Sequence, residues 1–535
     1  MRLVGPDKGT IAIVALRDGH EVAREDGVRL TPTLRQSYAE FLQGHTKVAT
    51  RGPADARQQS LTRAIEELGE ALGGVLFWNR IGEELRASLR GLGTHEAFEL
   101  CFEATDSTLL ALPFEAARLD GVIPALTAGV TVRRVVADVP TLSGRAAASP
   151  LKVLVAVGAP DEGPSTNAVL DLERELQGIL DAVSPAARNG NVEVRFLEIG
   201  HPAEIGRALA HDEYHVLHLS GHGGPGTIEL EDEDGAAVRA TAKTLADEIK
   251  RGGRNIPLVF LSSCHGGTST SETASLAVDL VREGVPLVLA MQTRVTDGYA
   301  SDLSRELYAE LAGRETQLVS QALAVARQRL EEVRREAVAR GAGLVETQPE
   351  YATASLFGGE SEVALVDYGL DRVPLAKPPV HRVSGPVPQL GIGELVGRRR
   401  ELRELLRVLR DHDDSVAAIG KKAGVVLAGI GGVGKSSLAG RAMARLKEDG
   451  WIVAATTGRF SIGDIAKELS PGLAGHATSA LAALRAQLSN PQLDDQSRLT
   501  GILGLLQTER VLLVLDNFED NLEVGGACYL DETTG

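Results

Sequence analysis

Two short strings carry residues able to break acyl bonds. His222 stands in HLSGHGG directly after the apolar run YHVLHLS, and Cys264 stands in LSSCHGG directly after PLVFLSS, 42 positions later. A cysteine attacks through its thiolate, and peptide hydrolysis then needs a second group that can protonate the departing amine. His222 is suited to that task. Glycines beside both residues let main-chain N–H groups approach a substrate, so the N–H groups of Gly223 and Cys264 are the candidates for an oxyanion hole, worth about 3–4 kcal/mol per donor. Taken singly, a cysteine ending a buried strand is more often an inert core residue than a nucleophile. The dyad reading rests on both residues standing at strand ends before glycine, where open α/β sheets place their ligand sites.

A metal centre is the competing use of this region, because His215, His218 and His265 are close by in sequence. His215 and His218, however, fall on opposite faces of a strand, and no carboxylate stands at a matching spacing. No cofactor is expected for the cysteine chemistry.

A second constellation is separate. GIGGVGKS, Gly429 to Ser436, fits GxxxxGK[ST] without a gap. Gly429, Gly431, Gly432 and Gly434 expose N–H groups to phosphates, Lys435 reaches the β- and γ-phosphates, and Ser436 holds Mg²⁺, with Ser437 beside it. VLLVLD, Val511 to Asp516, is an apolar strand ending in an acid, which makes Asp516 the second metal partner. ATP or ADP with Mg²⁺ is the implied cofactor.

The elements that must position these groups follow from periodicity. From Leu151 onward, short β-branched runs (KVLVAVG, VEVRFLEI, YHVLHLS, PLVFLSS, VPLVLAM) alternate with amphipathic stretches such as LDLERELQGILDAV, AEIGRALAH, TAKTLADEIKRG, TASLAVDLVREG and DGYASDLSRELYAELAG. That order predicts an α/β fold, a mainly parallel sheet with helices on both faces. Residues 317–340 read as a long charged helix with a solvated face. Residues 1–148 are also α/β, with strands GTIAIVAL, AFELCFEA and VTVRRVV, and LPFEAARL reads as a helix start packed on the core. Five prolines between Val373 and Gly391 predict a linker. The expected division is an N-terminal lobe 1–148, a catalytic lobe 149–370, a linker 371–393 and a partial P-loop domain 394–535. In that last domain GVVLA is a strand before the phosphate loop and SLAGRAMARL a helix after it.

Composition sets the outer bounds. A chain of 535 residues with 43% hydrophobic and 24% charged residues is an ordinary globular protein, and its net charge of −17 argues against binding nucleic acid through a basic face. The basic helix LVGRRRELRELLRVLR is the sole counter-indication, and a solvated face accounts for it. Three distant cysteines, Cys101, Cys264 and Cys528, form no disulfide framework or CxxC pair, which suits a reducing cytosol. The opening MRLVGPDKGT lacks a signal peptide's apolar core, and no apolar run reaches the ~18 residues of a membrane span. The expected location is cytoplasmic.

Over roughly residues 90–365 the chain resembles the CHAT domain, a caspase-like peptidase module related to separase, gingipain and clostripain. The resemblance rests on LLALPFEAARL, HVLHLSGHGG, VFLSSCHGG and the run Ser275 to Leu311. It implies that His222 and Cys264 are the catalytic dyad, and that Gly223 belongs to the oxyanion hole. One departure is His265, where the family commonly has an acidic or small residue. In this clan the loop after the first strand helps line the pocket for the residue before the scissile bond. Caspases place an arginine there, whereas the relatives that cut after Arg or Lys use an acid. Here that loop is GAPDEG, with Asp161 and Glu162, and the loop after the His222 turn is acidic too, at Glu229, Glu231, Asp232, Glu233 and Asp234. Cleavage after Arg or Lys is therefore expected, with Asp161 as the foremost pocket residue.

LVGRRREL, GIGGVGKSSLA and LLVLDNFED together resemble the NB-ARC type of STAND NTPase, in which Val396, Gly397 and Arg398 match a nucleotide-contacting lead-in. That resemblance implies a nucleotide-driven switch that oligomerises on activation. The combined expectation is a cysteine endopeptidase, cutting a cellular protein in bacterial stress, cell-death or antiphage signalling and controlled by the ATP-binding segment. The alternative is a signalling ATPase whose caspase-like part is an inactive scaffold.

Overall fold

Runs such as LKVLVAV have no apolar–polar alternation, so both faces of the strands they form must be covered. The computed structural model describes the chain apart from residues 8–9, 30–33, 35, 39–53, 94–95, 140–145, 159, 161–167, 225, 233–234, 254–255, 263–269, 293–294, 314–317, 377–386, 389, 392–393, 396–397, 411–423, 475–478 and 523–535. It divides into two units, Met1–Ala376 and Lys377–Gly535.

The first unit contains strands β1 (Arg2–Asp7), β2 (Thr10–Arg17), β3 (His20–Arg29), β4 (Phe98–Ala104), β5 (Val130–Val136), β6 (Ala147–Ala148), β7 (Leu151–Val157), β8 (Val192–Phe196), β9 (Val216–Ser220), β10 (His222–Gly224), β11 (Thr227–Glu231), β12 (Ala237–Thr241), β13 (Leu258–Ser262), β14 (Leu287–Met291), β15 (Ala354–Gly358) and β16 (Val366–Asp367). One sheet runs in the order β3-β2-β1-β4-β5-β15-β14-β13-β9-β7-β8. The β1–β2, β2–β3 and β14–β15 pairs are antiparallel, and all other neighbours are parallel. The mainly parallel α/β sheet expected from the alternating pattern is thus present. Val153, Val155, Val216, Phe260 and Leu289 form one face of the core, covered by Leu303, Leu307 and Tyr308 of the helix Asp297–Leu311 and by Leu323 of the helix Val319–Ala339.

Three features depart from the periodicity reading. First, β15 has no counterpart among the strands that periodicity predicts, and it joins β5 to β14 and so makes one sheet of both halves of the unit. Second, the helix Val319–Ala339 does not simply face water with its charges, since Arg327 and Glu331 are buried. Third, LPFEAARL supplies a single 3₁₀ turn, Phe114–Ala116, rather than a helix start.

The turn Phe114–Ala116 holds a polar core. Glu115 is fully buried against Arg134, with N–O distances of 2.5 and 2.8 Å. Arg134 also donates to the carbonyls of Leu110 and Leu112 at 2.8 and 2.7 Å. Ser355 of β15 donates to Glu115 at 3.2 Å, and Arg327 lies 3.9 Å from the same carboxylate. Burial alone would raise the carboxyl's pKa, but the two guanidinium groups outweigh it and hold Glu115 below its ordinary value.

Residues 372–376 lie along the β8 side of the same unit. The N–H groups of Leu375 and Ala376 donate to Glu193 and Asp212, each at 2.5 Å, and Arg195 donates to the Ala376 carbonyl at 2.6 Å.

In the second unit, β17 (Ile452–Thr457) and β18 (Val511–Asp516) pair in parallel from Ile452↔Val511 to Thr457↔Asp516. Helices Arg399–Arg410 and Lys435–Glu448 share one core with β17 through Leu402, Leu406, Met443 and Val453. Helices Ile462–Leu473, Ser479–Leu488 and Asp495–Thr508 share the other with Ile452 and Ala454. The expected strand GVVLA is not one: residues 424–430 pair with no described strand, and Val426 is 91% exposed. An apolar run gains strand geometry from a neighbour's ladder, and β17 and β18 pair with each other instead.

Glu115→Leu leaves Arg134 charged, buried and uncompensated. Urea unfolding of the variant is expected to show a loss of about 3–5 kcal/mol, and an unchanged midpoint would refute the structural role of this pair.

Candidate active site and phosphate loop

Strands β9 and β13 are direct parallel neighbours, and their last residues, Ser220 and Ser262, are register partners. The chain leaves both strands at the same edge of the sheet. Two residues beyond Ser220 stands His222, the first residue of β10. Two residues beyond Ser262 stands Cys264, which lies outside the described residues, as does His265.

What happens beyond β9 is decided by close main-chain contact. The three-stranded sheet β10-β11-β12 is antiparallel, with His222↔Glu229, Gly223↔Ile228 and Gly224↔Thr227 as partners. Glu229 presses its carbonyl against both Gly158, which follows β7, and Gly221, which follows β9; a Cβ on either glycine would collide with it. The Gly158 N–H also donates to the Ser220 carbonyl at 2.8 Å. On the next strand over, the Gly200 N–H donates to the buried Glu231 carboxylate at 3.0 Å. The β11 strand therefore closes over the carboxyl ends of β7 and β9 and fixes where β10 begins.

This corrects the reading of an acidic loop after His222. Glu229 and Glu231 are strand residues, and Glu231 is an internal hydrogen-bond acceptor rather than a pocket group. Asp232 accepts the Ala236 N–H at 2.7 Å and closes the turn to β12. Asp161, Glu162, Glu233 and Asp234 lie outside the described residues. The hairpin was legible in the sequence: Pro-Gly at a turn, with positive φ at Gly226, followed by the alternation Thr-Ile-Glu-Leu-Glu.

The neighbouring histidines serve the core. His215 Nδ1 accepts the Lys152 N–H at 2.9 Å, and His218 Nδ1 lies 2.7 Å from the Tyr308 hydroxyl. Nε2 of each has no partner among the described residues. Burial away from water therefore pushes the pKa of His215 down to about 4 and that of His218 down to about 3. Among the described residues no group of histidine, cysteine or carboxylate side chains could hold a metal ion.

In the second unit the phosphate loop is built as its sequence requires. Gly432 and Gly434 have φ of +79° and +95°, a region open to glycine, and the helix Lys435–Glu448 starts immediately after them. Space surrounds Gly431, Gly432 and Gly434, where a Cβ would meet nothing within 4 Å. Lys435 Nζ donates to the carbonyls of Gly429 and Ile430 at 2.8 and 3.2 Å. The Ser436 hydroxyl lies 3.0 and 2.9 Å from the two carboxylate oxygens of Asp516, at the end of β18. Beside the loop is a cavity of about 520 Å³ lined by residues including Arg398, Glu404, Leu405, Leu427 and Lys435. Arg398 donates to the Val433 carbonyl at 2.7 Å, which ties the start of helix Arg399–Arg410 to the loop. Val396 and Gly397 lie outside the described residues, and Ser437 is half-buried on the helix's first turn. A hydroxyl facing a carboxylate is a hard-oxygen pair of the kind that suits Mg²⁺, and the open glycine loop suits phosphates.

Comparison with known proteins adds the family. The CHAT domain model matches residues 66–357, more than half of the chain. The chain belongs to the CHAT domain family. Its caspase-like cysteine peptidase fold is thereby the one expected from the sequence, and the AAA ATPase domain model matches residues 394–533. No curated protein matches this CHAT chain by sequence. Among solved structures, the Arg-specific cysteine proteinase gingipain R aligns at 9% identity, over 62% of this chain and 76% of its own, with a TM-score of 0.34. The complex of Porphyromonas gingivalis RgpB pro- and mature domains aligns at 10%, over 62% and 78%, with a TM-score of 0.32. The Saccharomyces cerevisiae separase–securin complex aligns at 13%, over 62% of this chain but 22% of that one, with a TM-score of 0.31. Among the described residues no helix is long and apolar enough to cross a membrane.

The two core histidines of the CHAT unit make a pH prediction. The unfolded chain protonates them near 6.5, whereas the folded chain resists until about 4 and 3. Between those limits the unfolded state binds more protons, so stability falls as pH drops from 6.5 towards 4. The slope is about 1.4 kcal/mol per pH unit for each histidine. Urea midpoints at pH 7, 6 and 5 measure it, and His218→Gln should remove its share; a flat profile would contradict the assignment.

Proposed function

We propose that this protein is a cysteine endopeptidase whose CHAT domain cuts a cellular protein under the control of its ATP-binding segment. The observation that carries the reading is the parallel register Ser220↔Ser262, which brings the chain out of β9 and β13 side by side, two residues before His222 and Cys264. In the proposed cycle the Cys264 thiolate adds to the scissile carbonyl, and the N–H groups of Gly223 and Cys264 receive the oxyanion. His222 then protonates the leaving amine, and water, deprotonated by His222, hydrolyses the thioester to restore the thiolate. Cleavage after Arg or Lys, with Asp161 and Glu162 in the pocket, is part of the proposal and rests on the acidic loop GAPDEG.

The second unit would hold ATP or ADP through Gly429, Gly431, Gly432, Gly434, Lys435, Ser436 and Ser437, with Arg398 beside them and Mg²⁺ on Ser436 and Asp516. What supports this is the open glycine loop and the Ser436–Asp516 pair. Bound nucleotide would supply a triphosphate charge that Lys435 answers once it leaves the carbonyls of Gly429 and Ile430. We read the segment as a STAND-type switch that oligomerises in a cytoplasmic signalling or defence response.

Two measurements test these readings. Arg- and Lys-reporter peptides should be cut by the purified chain and left intact by Cys264→Ala and His222→Ala. Preference for Asp reporters would overturn the specificity, and equal cutting by Cys264→Ala would overturn the dyad. Lys435→Ala should weaken binding of a fluorescent ATP analogue by about 10²-fold or more, on the scale of losing a charge-assisted contact to phosphate, and undiminished binding would remove the loop from the site.

A further inference from the structure

The register of the small sheet places three chemistry-bearing residues in one row. Glu229 of β11 is the direct partner of His222 on β10 and of Arg239 on β12. Directly opposed residues of an antiparallel pair project from the same face, with Cβ atoms about 4.5–5.5 Å apart. The parity is fixed by the neighbours: Ile228 and Leu230 are buried on one face, so Glu229 belongs to the other, where it is half-buried. Its main chain cannot drift, because its carbonyl is wedged against Gly158 and Gly221.

We propose that Glu229 is the positioning residue of the peptidase site, its carboxylate orienting the His222 imidazole and stabilising the imidazolium. This rests on the dyad reading above. A histidine that pairs with a thiolate works as an imidazolium, and a carboxylate one strand away favours that charge and fixes which ring nitrogen faces the cysteine. Glu229 is chosen over its neighbours because each of them has another task or position. Glu231 accepts the Gly200 N–H, and Asp232 accepts the Ala236 N–H. Arg239 is exposed on the far side of the row, away from His222. On the helix Thr270–Arg282, Asp279 pairs with Arg282 at 3.2 Å.

The test uses the full chain labelled at histidine Cε1, with His222 assigned by its loss in His222→Gln, and follows the resonance against pH. Glu229→Gln should lower the His222 pKa by roughly one unit, and Glu229→Asp should recover part of the shift. On the reporter peptides, Glu229→Gln should cut kcat roughly tenfold with KM unchanged, and move the acid–base limbs of the rate profile with the imidazole. An unmoved His222 pKa in a folded Glu229→Gln protein would overturn the proposal, including the case in which only thermal stability falls through loss of a Glu229–Arg239 pair. Failure of the dyad reading looks different: Cys264→Ala would keep its activity while the His222 titration still answered to Glu229.

Discussion

A parallel sheet buried on both faces leaves no room for unpaired polar groups along its strands. In β9, β13 and β14 every residue is buried, and a polar side chain there needs a partner of its own, as His218 has in Tyr308. Chemistry is thereby confined to the strand ends. At the carboxyl edge, loops can offer main-chain N–H groups and ionisable side chains to a substrate without burying them unpaired. The parallel pairing of β9 with β13 sets their last residues, Ser220 and Ser262, side by side, two positions in sequence before His222 and Cys264.

The same constraint explains the charged cluster at the other side of the sheet. Arg134 ends up inside because β5 is a central strand, and its guanidinium is satisfied by Glu115 and by carbonyls of the Leu110–Leu112 turn. Ser355 and Arg327 complete the set from β15 and from the long helix. Residues from four separate stretches of chain are bound into one network, so the register of β15 between β5 and β14 is tied to the placement of the turn Phe114–Ala116. Networks of this kind specify one arrangement strongly, because any partial arrangement strands a charge in a medium that cannot solvate it.

The phosphate loop follows a different logic. Its conformation is local: two glycines at positive φ and a helix beginning at once fix where the N–H groups point. What the loop cannot supply locally is Asp516, which comes from a strand 80 residues away and meets the Ser436 hydroxyl. The pairing of β17 with β18 carries that carboxylate to its place.

Much of this was written in the sequence. The alternation of β-branched runs with amphipathic stretches determined the parallel sheet and the strand ends at Ser220 and Ser262, because burial on both faces imposes a continuous apolar run. The GxxxxGKS string determined its own loop, since glycine alone tolerates those dihedral angles. The tertiary structure decided the rest. GVVLA looked like a strand and is not one, because strand geometry depends on a neighbour that composition does not reveal. Glu231 looked like part of an acidic loop and is an internal acceptor, and LPFEAARL looked like a helix start and holds a buried ion pair. In each case the deciding partner lies far along the chain, and a hydrogen bond or ion pair between distant residues leaves no periodic trace in either segment.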